Sequence, residues 1–488
     1  MILSRATGSG ATSLASPVNW VTLLGAFVGL TALLGLPAFS PGWLLFKANR
    51  VVAGESLSPY ALSPAWTLAL AALWLLCGLL SFVPLRARPW LPRPWLQGAL
   101  ATLALLVAVL FIREGTDVLL LDAASSARVS LGGGIWLTGL AIYIALFGAA
   151  GEAPEQRSAL LRLALPSLLV LLGAFALGAF SELGIARELA GQGRTFPAEL
   201  RRHLALSLTS VLVAALIGVP AAIWAARQAR VAGVVLPAAG LLQTVPSLAL
   251  FGLLLAPLAE LGRNVSLAQA VLFALLGLGL AAAMALSSRR LPAPWRGGGL
   301  TLTALLALAP GAVLAVLAAV YAHALLLGLL NLDPRALNPM ALWREPLAQF
   351  GVRGIGAAPA LIALTLYALL PIVRNTYTGV REVSQAVLEA GRGMGMSSGQ
   401  ILRRLELPLA LPLILEGLRG SAVLTIGITT VAALIGAGGL GFFVLRGIDQ
   451  VVPDLILLGA LPIILLALVA DALLKGLGLL LTPRGMRP

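Results

Sequence analysis

The stretch from Glu389 to Pro408, EAGRGMGMSSGQILRRLELP, has the residue types expected of a docking surface for another protein. It is polar, basic and glycine-rich, so it has to lie in water. The stretches on either side, Leu361 to Val373 and Leu409 to Ile435, are apolar enough to lie in a membrane. Glycine takes positive φ at little steric cost, so a short helix ending near Gly393 and Gly395 can turn back and present acidic and apolar faces to a groove. From composition alone, docking on another protein and an ordinary loop with an amphipathic turn fit equally well.

The residues Gly436 to Gly441, GAGGLG, match the GxGxxG pattern of dinucleotide-binding sites. That pattern is meaningful when a strand precedes it and a helix opens after it in a βαβ unit. Here it ends an apolar span, so we expect no nucleotide. The small residues instead predict close helix packing or a bend near an outer gate, at Gly436, Gly438, Gly439 and Gly441.

Other chemistry has little support in the sequence. The only lysines, Lys47 and Lys475, lack the context of a Walker A loop, so ATP hydrolysis would require a separate subunit. His203 and His323 are far apart, and no HExxH motif or Cys pair exists. We therefore predict no catalytic residue, no metal site and no cofactor. Cys77 lies in an apolar run and is expected to be a buried small residue.

Two pairs of ionisable residues lie within apolar stretches, where a charge costs at least ~2.5 kcal/mol. Glu416 and Arg419 are three positions apart, and Asp471 and Lys475 are four apart. Each spacing places both members on one side of a helix, so each pair can neutralise itself. We favour this structural role over a role in gating.

The composition indicates the class of protein to which these residues belong. Of the 488 residues, 59% are hydrophobic and 11% are charged, whereas soluble domains average ~25% charged residues. We predict an all-α integral membrane protein. The net charge of +14 comes mainly from Arg. Membrane topology and lipid headgroups explain such a charge better than nucleic acid does.

About twelve apolar stretches approach the ~20 residues that cross a membrane, which predicts a polytopic helical bundle. The ninth contains Pro310-Gly311, which predicts a kink. In chain order the stretches are Val18 to Phe39, Ala65 to Val83, Leu96 to Ile112, Gly133 to Ala150, Leu161 to Phe180, Leu204 to Ala226, Ala232 to Pro257, Ala268 to Leu286, Leu300 to Leu330, Ile355 to Val373, Leu407 to Ile435 and Leu455 to Leu481.

The orientation of the spans follows from arginine-rich loops, since Lys and Arg collect on the cytoplasmic side. Three short loops contain such arginines, and five Arg with no Lys lie between Arg374 and Arg404. With twelve spans, all of these lie inside together with both termini. The loop Gly184 to Arg202 fits less well, because it is placed outside although it contains four Arg. The first apolar run is long for a signal peptide, so we expect it to be a retained span.

The spacing within Glu389 to Pro408 resembles the EAA loop of ABC importer permeases. That pattern reads EAA, three residues, Gly, nine residues, Ile, one residue, Leu-Pro. The residues that fit it are Glu389, Ala390, Gly395, Leu407 and Pro408, and two depart from it: Gly391 replaces the second Ala and Leu405 replaces Ile. The resemblance implies a coupling helix that docks on a separate ABC ATPase.

Further segments are similar to the permeases of osmoprotectant importers, the glycine betaine, choline and carnitine type. They are Gln243 to Leu254, Leu366 to Val380, Leu405 to Ile414 and Ala432 to Gly441. The resemblance implies a type I importer core of five helices, formed by the sixth, seventh, tenth, eleventh and twelfth stretches. The permease domain would cover 203–480, with an inserted two-helix segment at 260–354. Residues 1–202 would be an extension of about five spans, because Ala124 to Leu140 looks like that of a long, low-affinity subgroup.

The resemblance also implies partners and a location. An extracytoplasmic substrate-binding protein would deliver the solute, having recognised its trimethylammonium group in an aromatic cage by cation–π attraction. ABC ATPase subunits would bind from the cytoplasm, and a second permease subunit, either a copy or a shorter paralogue, would complete the path through the cytoplasmic (inner) membrane.

Two alternatives belong to other classes. A secondary transporter driven by an ion gradient also fits twelve spans, but the sequence lacks the midplane Asp, Glu or His cluster of a proton relay. A membrane enzyme would need a cluster of charged residues at one membrane face, and the outer loops contain only scattered charges.

Overall fold

The computed structural model describes residues 18–34, 42–50, 52, 54–83, 93–152, 156–288, 314, 317, 346–350 and 352–481. The chain divides into two compact units. Unit 1 comprises Met1–Gly191 and Gln450–Asp454, and unit 2 comprises Gln192–Asp449 and Leu455–Pro488. The predicted domain boundary between residues 202 and 203 falls inside a helix that runs from Thr195 to Arg227, and the domain limits remain a prediction.

Unit 1 is mainly helical and contains a small sheet. Its elements in chain order are α1 (Trp20–Leu34), β1 (Leu44–Lys47), β2 (Glu55–Leu57), α2 (Pro59–Leu62), α3 (Pro64–Leu80), α4 (Arg93–Leu120), β3 (Arg128–Leu131), α5 (Gly133–Glu152), α6 (Gln156–Ala176) and α7 (Gly184–Gly191). The strands form an antiparallel sheet in the order β2-β1-β3. The predicted all-α fold did not include this sheet.

The core of unit 1 packs large aromatic side chains against small residues. The ring of Trp43 meets that of Phe111 edge-on, with their centroids 5.0 Å apart. Trp74 is fully buried, and a Cβ on Gly29 would lie 2.3 Å from its ring, so α1 and α3 approach closely there. There is no hydrophobic driving force between helices in lipid, so the close van der Waals packing that small residues allow stabilises their association instead.

Unit 2 contains the longer helices. They are α8 (Thr195–Arg227), α9 (Ala229–Thr244), α10 (Ser247–Asn264), α11 (Leu267–Ser288), α12 (Ala357–Arg381), α13 (Gln385–Gly393), α14 (Ser398–Ile401), a π-helical turn (Leu402–Glu406), α15 (Leu407–Ala432), a 3₁₀ turn (Ala433–Ile435) and α16 (Gly441–Asp449). The last helix, α17 (Pro453–Leu481), begins with unit 1 residues and continues in unit 2. Helices α8, α12 and α15 pack on one another and form the centre of the unit.

Within the described residues, six helices are long and apolar enough to cross a membrane, or seven if one bent pair counts as a span. Shorter apolar helices coincide with four other predicted stretches: Trp20–Leu34, Pro64–Leu80, Arg162–Ala176 and Ala268–Met284. The predicted ninth stretch, Leu300 to Leu330, lies outside the described residues except for positions 314 and 317. The chain is therefore a multi-pass helical membrane protein, and twelve spans remain a prediction.

The predicted span from Ala232 to Pro257 is not one continuous helix. Helices α9 and α10 divide this stretch and are bent by 100° relative to each other. Val245 and Pro246 between them have extended backbone, because proline disfavours helical φ and ψ in the residue before it. Tyr367 of α12 fixes the break, since its hydroxyl donates to the carbonyl oxygen of Val245.

The predicted outer loop from Gly184 to Arg202 is also helical. Its first part forms α7, and its second part begins α8 at Thr195. Two of the four arginines that made this loop fit poorly have acidic partners: Arg187 pairs with Glu182 at 2.7 Å, and Arg202 pairs with Glu199 at 2.8 Å.

Candidate functional site

The candidate docking segment folds into a hairpin, residues 385–406, between α12 and α15. Its first arm, α13, ends at Gly393, and Gly395, two residues later, has a φ of +77°. The turn satisfies the last helix carbonyls, because the N–H of Gly395 donates to Arg392 at 2.9 Å and that of Met396 donates to Gly391 at 3.1 Å. This left-handed glycine is the usual way to end a helix, and it confirms the turn predicted at Gly395.

The return arm begins with a capping box. The N–H of Ser397 donates to Oε1 of Gln400 at 2.8 Å, and the N–H of Gln400 donates to Oγ of Ser397 at 3.4 Å. The two bonds satisfy donors that a helix start would otherwise leave free. The chain then continues helically through the π-helical turn into α15, with Pro408 at the start of that helix. Because the residues before Pro408 are helical, its missing N–H leaves one carbonyl of the preceding turn without its helical bond.

The interior of the hairpin is apolar. Buried Val383, Leu388 and Ile401 pack with Met396 and Leu405. A Cβ added to Gly391 would lie 2.8 Å from Cδ1 of Leu405. The two positions that depart from the family pattern therefore lie against each other, and Leu405 occupies the space that an alanine methyl group at position 391 would need.

We expect Gly391→Ala to be tolerated better when Leu405 is shortened to valine, which has no Cδ atoms. Residues in contact show coupling energies of about 0.5–3 kcal/mol. The double variant should therefore lose less stability than the sum of the losses in the two single variants. The measurement is the apparent melting temperature of the purified protein in detergent. Gly393→Ala is the matched control, since nothing lies within 4 Å of its Cβ position, and it should be additive with Leu405→Val. Additivity at Gly391 as well would contradict this prediction.

The outer surface of the hairpin is exposed around its tip. Glu389, Ala390 and Gly395 are exposed, and nothing lies within 4 Å of a Cβ placed on Gly395. Glu389 makes no hydrogen bond or ion pair within the part of the chain that the structure describes. The Met394 side chain is 73% exposed. Sequence reasoning did not single out Met394, although an apolar residue between two glycines of a water-facing turn was a usable signal.

An ion pair ties the hairpin to the end of α8. Nη2 of Arg227 lies 2.7 Å from Oε2 of Glu406 and donates to the carbonyl oxygen of Ser398 at 3.4 Å. Arg227 therefore contacts both ends of the return arm, so the hairpin has a defined position relative to α8.

The residues Gly436 to Gly441, here called the glycine turn, join α15 to α16. Three of them have positive φ: +74° at Gly436, +77° at Gly438 and +91° at Gly439. A Cβ on Gly441 would lie 2.0 Å from the carbonyl oxygen of Thr430. No strand precedes this turn, so it lacks the βαβ context of a dinucleotide site. Its glycines allow a tight bend and a close contact, while a part in an outer gate remains a prediction.

Two buried side chains of α8 hold the glycine turn. Oε2 of Glu199 accepts from the N–H of Gly439 at 2.6 Å, and Nδ1 of His203 accepts from the N–H of Leu440 at 3.3 Å. Nε2 of His203 lies 3.1 Å from the carbonyl oxygen of Ile426, so it carries the proton and donates. His203 is thus a structural residue in a neutral tautomer. The structure contains no cluster of three metal-ligating side chains among the residues searched, which are those it describes.

The ionisable residues of α15 and α17 form a different arrangement from the predicted one. Arg419 pairs with Glu416 at 2.7 Å, as its spacing predicts, and its Nε also lies 3.4 Å from Oδ1 of Asp471. Asp471 was expected to pair with Lys475, but within the described residues no ion pair joins these two. The long side chain of Arg419 contacts acidic residues on two helices, whereas a spacing of three or four residues indicates partners on one helix only.

The comparisons with known proteins give two family matches. Residues 218–484 match the family described as the binding-protein-dependent transport system inner membrane component. Residues 18–186 match the family described as the N-terminal domain of the ABC transporter permease YehY.

The chain is also similar to curated permeases. It is 49% identical over 134 residues to the carnitine transport permease protein OpuCB of Listeria monocytogenes, covering 28% of this chain and 62% of that protein. It is 49% identical over 142 residues to the osmoprotectant import permease protein OsmW of Salmonella typhimurium, covering 29% and 66%. For the choline transport system permease protein OpuBB of Bacillus subtilis, the identity is 46% over 134 residues, covering 28% and 62%.

The matched region thus spans less than two thirds of the length of these relatives, but the first family match covers more than half of the chain's 488 residues. The chain belongs to the family of inner membrane components of binding-protein-dependent transport systems.

Proposed function

We propose that this protein is the permease subunit of an ATP-driven importer for glycine betaine or a related quaternary ammonium osmoprotectant. The similarity to carnitine, choline and osmoprotectant permeases supports the substrate class. Members of this family are non-catalytic, so ATP hydrolysis belongs to a separate subunit. The proposed location is the cytoplasmic membrane, with about twelve spans and both termini inside, as the distribution of Arg predicts.

The proposed coupling device is the hairpin. The observation that carries this proposal is the exposed tip, where Gly395 reverses the chain and both Met394 and Glu389 are exposed. An exposed apolar side chain fits a groove on an ATPase subunit, since burying a methionine contributes about 1.5–3 kcal/mol. In this mechanism Glu389 and Ala390 seat the helix in the groove, Gly391 and Leu405 fix the two arms together, and Leu407 and Pro408 begin the span that is moved.

The proposed cycle needs further partners. Two permease subunits, this chain and either a copy or a shorter paralogue, enclose the path, and a substrate-binding protein delivers the solute from outside. ATP binding closes the ATPase subunits, and the hairpins convey that motion to the spans as a change between inward-open and outward-open states. Residues 203–480 supply the transport core in this scheme, with the insertion at 260–354 and the extension at 1–202 added to it.

The test is solute uptake by vesicles that contain the purified permease and its ATPase, with the binding protein added outside. We expect uptake of labelled glycine betaine to require ATP inside the vesicles and to survive a protonophore. Retained uptake without ATP, together with loss of uptake on adding the protonophore, would instead identify a secondary transporter.

A Glu389→Lys variant, at equal protein level, should bind less ATPase.

A further inference from the structure

A groove lies between α4 and α6 of unit 1. The two helices run parallel, because Gly98 meets Leu163 and the hydroxyls of Thr102 and Ser167 lie 2.9 Å apart, so residue numbers rise together along both. Beyond this contact a groove of about 230 Å³ opens between them. Its lining is apolar and includes Leu106, Val109, Leu110, Val170 and Gly173.

Arg113 is the charged residue among those that line the groove. Its side chain is exposed, and it makes no hydrogen bond or ion pair within the described residues, including with Asp117 one turn further along α4. An arginine in a membrane chain ordinarily finds an acidic partner or a polar interface, because leaving it among lipid tails is costly. Its partner is not among the residues that the structure describes.

The depth of Arg113 identifies the kind of partner. Arg93 at the start of α4 is buried and pairs with Glu152 at the end of α5. Twenty residues separate position 93 from position 113, which at 1.5 Å per residue is about 30 Å. A membrane's hydrocarbon core is also ~30 Å thick. If Arg93 and Glu152 mark one boundary of the core, Arg113 lies at the opposite boundary, where lipid phosphates lie.

We propose that this groove is a binding site for an anionic phospholipid, with one acyl chain between α4 and α6 and the phosphate on Arg113. The guanidinium presents two parallel N–H groups that match a phosphate. An anionic headgroup has no ammonium group to compete with the arginine, so it binds in preference to a zwitterionic one. The site belongs to unit 1 and does not depend on the transport function proposed above.

The wall of the groove is open at Gly173, which has no side chain. Nothing lies within 4 Å of a Cβ placed on Gly173, so the missing side chain leaves room for a lipid tail. A leucine at this position has room for its Cβ atom, and the rest of its side chain would compete with the lipid tail for space in the groove. Gly173→Leu therefore separates binding of the tail from binding of the headgroup.

The experiment is native mass spectrometry of the full-length protein, purified in detergent and titrated with phosphatidylglycerol or with phosphatidylethanolamine of the same acyl chains. We expect wild type to bind phosphatidylglycerol about fivefold more tightly, which is the effect of one basic residue at an anionic membrane surface. Arg113→Gln should abolish this preference, and Arg113→Lys should keep most of it. Gly173→Leu should weaken binding of both lipids.

The matched control is Gly139→Leu. Gly139 of α5 is exposed, has nothing within 4 Å of its Cβ position, as is true of Gly173, and does not line the groove. It should bind both lipids as wild type does. Equal binding of the two lipids by wild type would overturn the proposal. Unchanged preference in Arg113→Gln would also overturn it, as would competition by soluble glycerol phosphate at the concentration of the lipid.

Discussion

Replacing Gly395 with valine should leave the protein in the membrane at its normal level but reduce ATPase association and solute uptake by about tenfold or more. The φ of +77° at this position costs an L-residue ~1–2 kcal/mol, and a β-branched side chain tolerates it least. The tip then changes its conformation, and Met394 next to Gly395 is displaced from its position. The measurements are copurification of the ATPase with the permease and uptake of glycine betaine by vesicles.

Two variants make the Gly395 result specific. Gly399→Val adds the same side chain to the same hairpin, at a position that also has nothing within 4 Å but no positive φ, and should retain uptake. Gly395→Asn should retain much of it, because asparagine adopts left-handed backbone more readily than valine. Normal uptake by Gly395→Val, at wild-type protein level, would refute the assignment of the hairpin as the coupling device.

Replacing Asp454 with asparagine should destabilise unit 1 strongly. Lys47 of β1 and Asp454 at the start of α17 are both buried, and Nζ lies 3.6 Å from Oδ2. The hydroxyl of Ser130 on β3 donates to the same carboxylate oxygen. Asparagine keeps the shape and leaves the lysine charge buried without its partner, a change that typically costs about 3–5 kcal/mol. We expect a lower apparent melting temperature in detergent and less protein in the membrane.

A second substitution tests the cause of that loss. Lys47→Met in the Asp454→Asn background removes the uncompensated charge and should restore a large part of the stability. Asp449→Asn, which changes an exposed carboxylate at the end of α16, should alter stability by no more than about 0.5 kcal/mol. If Asp454→Asn were as mild as Asp449→Asn, the buried pair would have no structural importance.

The sequence predicted those features that depend on local composition and spacing. A polar, glycine-rich stretch between apolar ones leaves few conformations, so the turn at Gly395 and the start of α15 at Leu407 followed from the residues themselves. The family pattern contributed the docking interpretation, which remains a proposal. The exposed Met394 was missed because single apolar residues on a surface are common.

The features that sequence reasoning missed depend on contacts between distant residues. Lys47 and Asp454 are far apart in the chain, and the residues next to each of them in sequence do not indicate that the two form an ion pair. The link between Asp471 and Arg419 required knowing which helices are adjacent. The bend between α9 and α10 was different, because the proline at position 246 was a local signal that the apolar count over Ala232 to Pro257 ignored.

The helical path from Ser398 to Ile435 is continuous over 38 residues, which at 1.5 Å per residue is about 57 Å. It joins the hairpin to the glycine turn without an intervening loop. A motion applied at the hairpin end of this path has to pass the π-helical turn Leu402–Glu406, where i→i+5 hydrogen bonds interrupt the α-helical pattern. Because sharp kinks in long helices occur at such π-helical turns, we expect the path to bend there first.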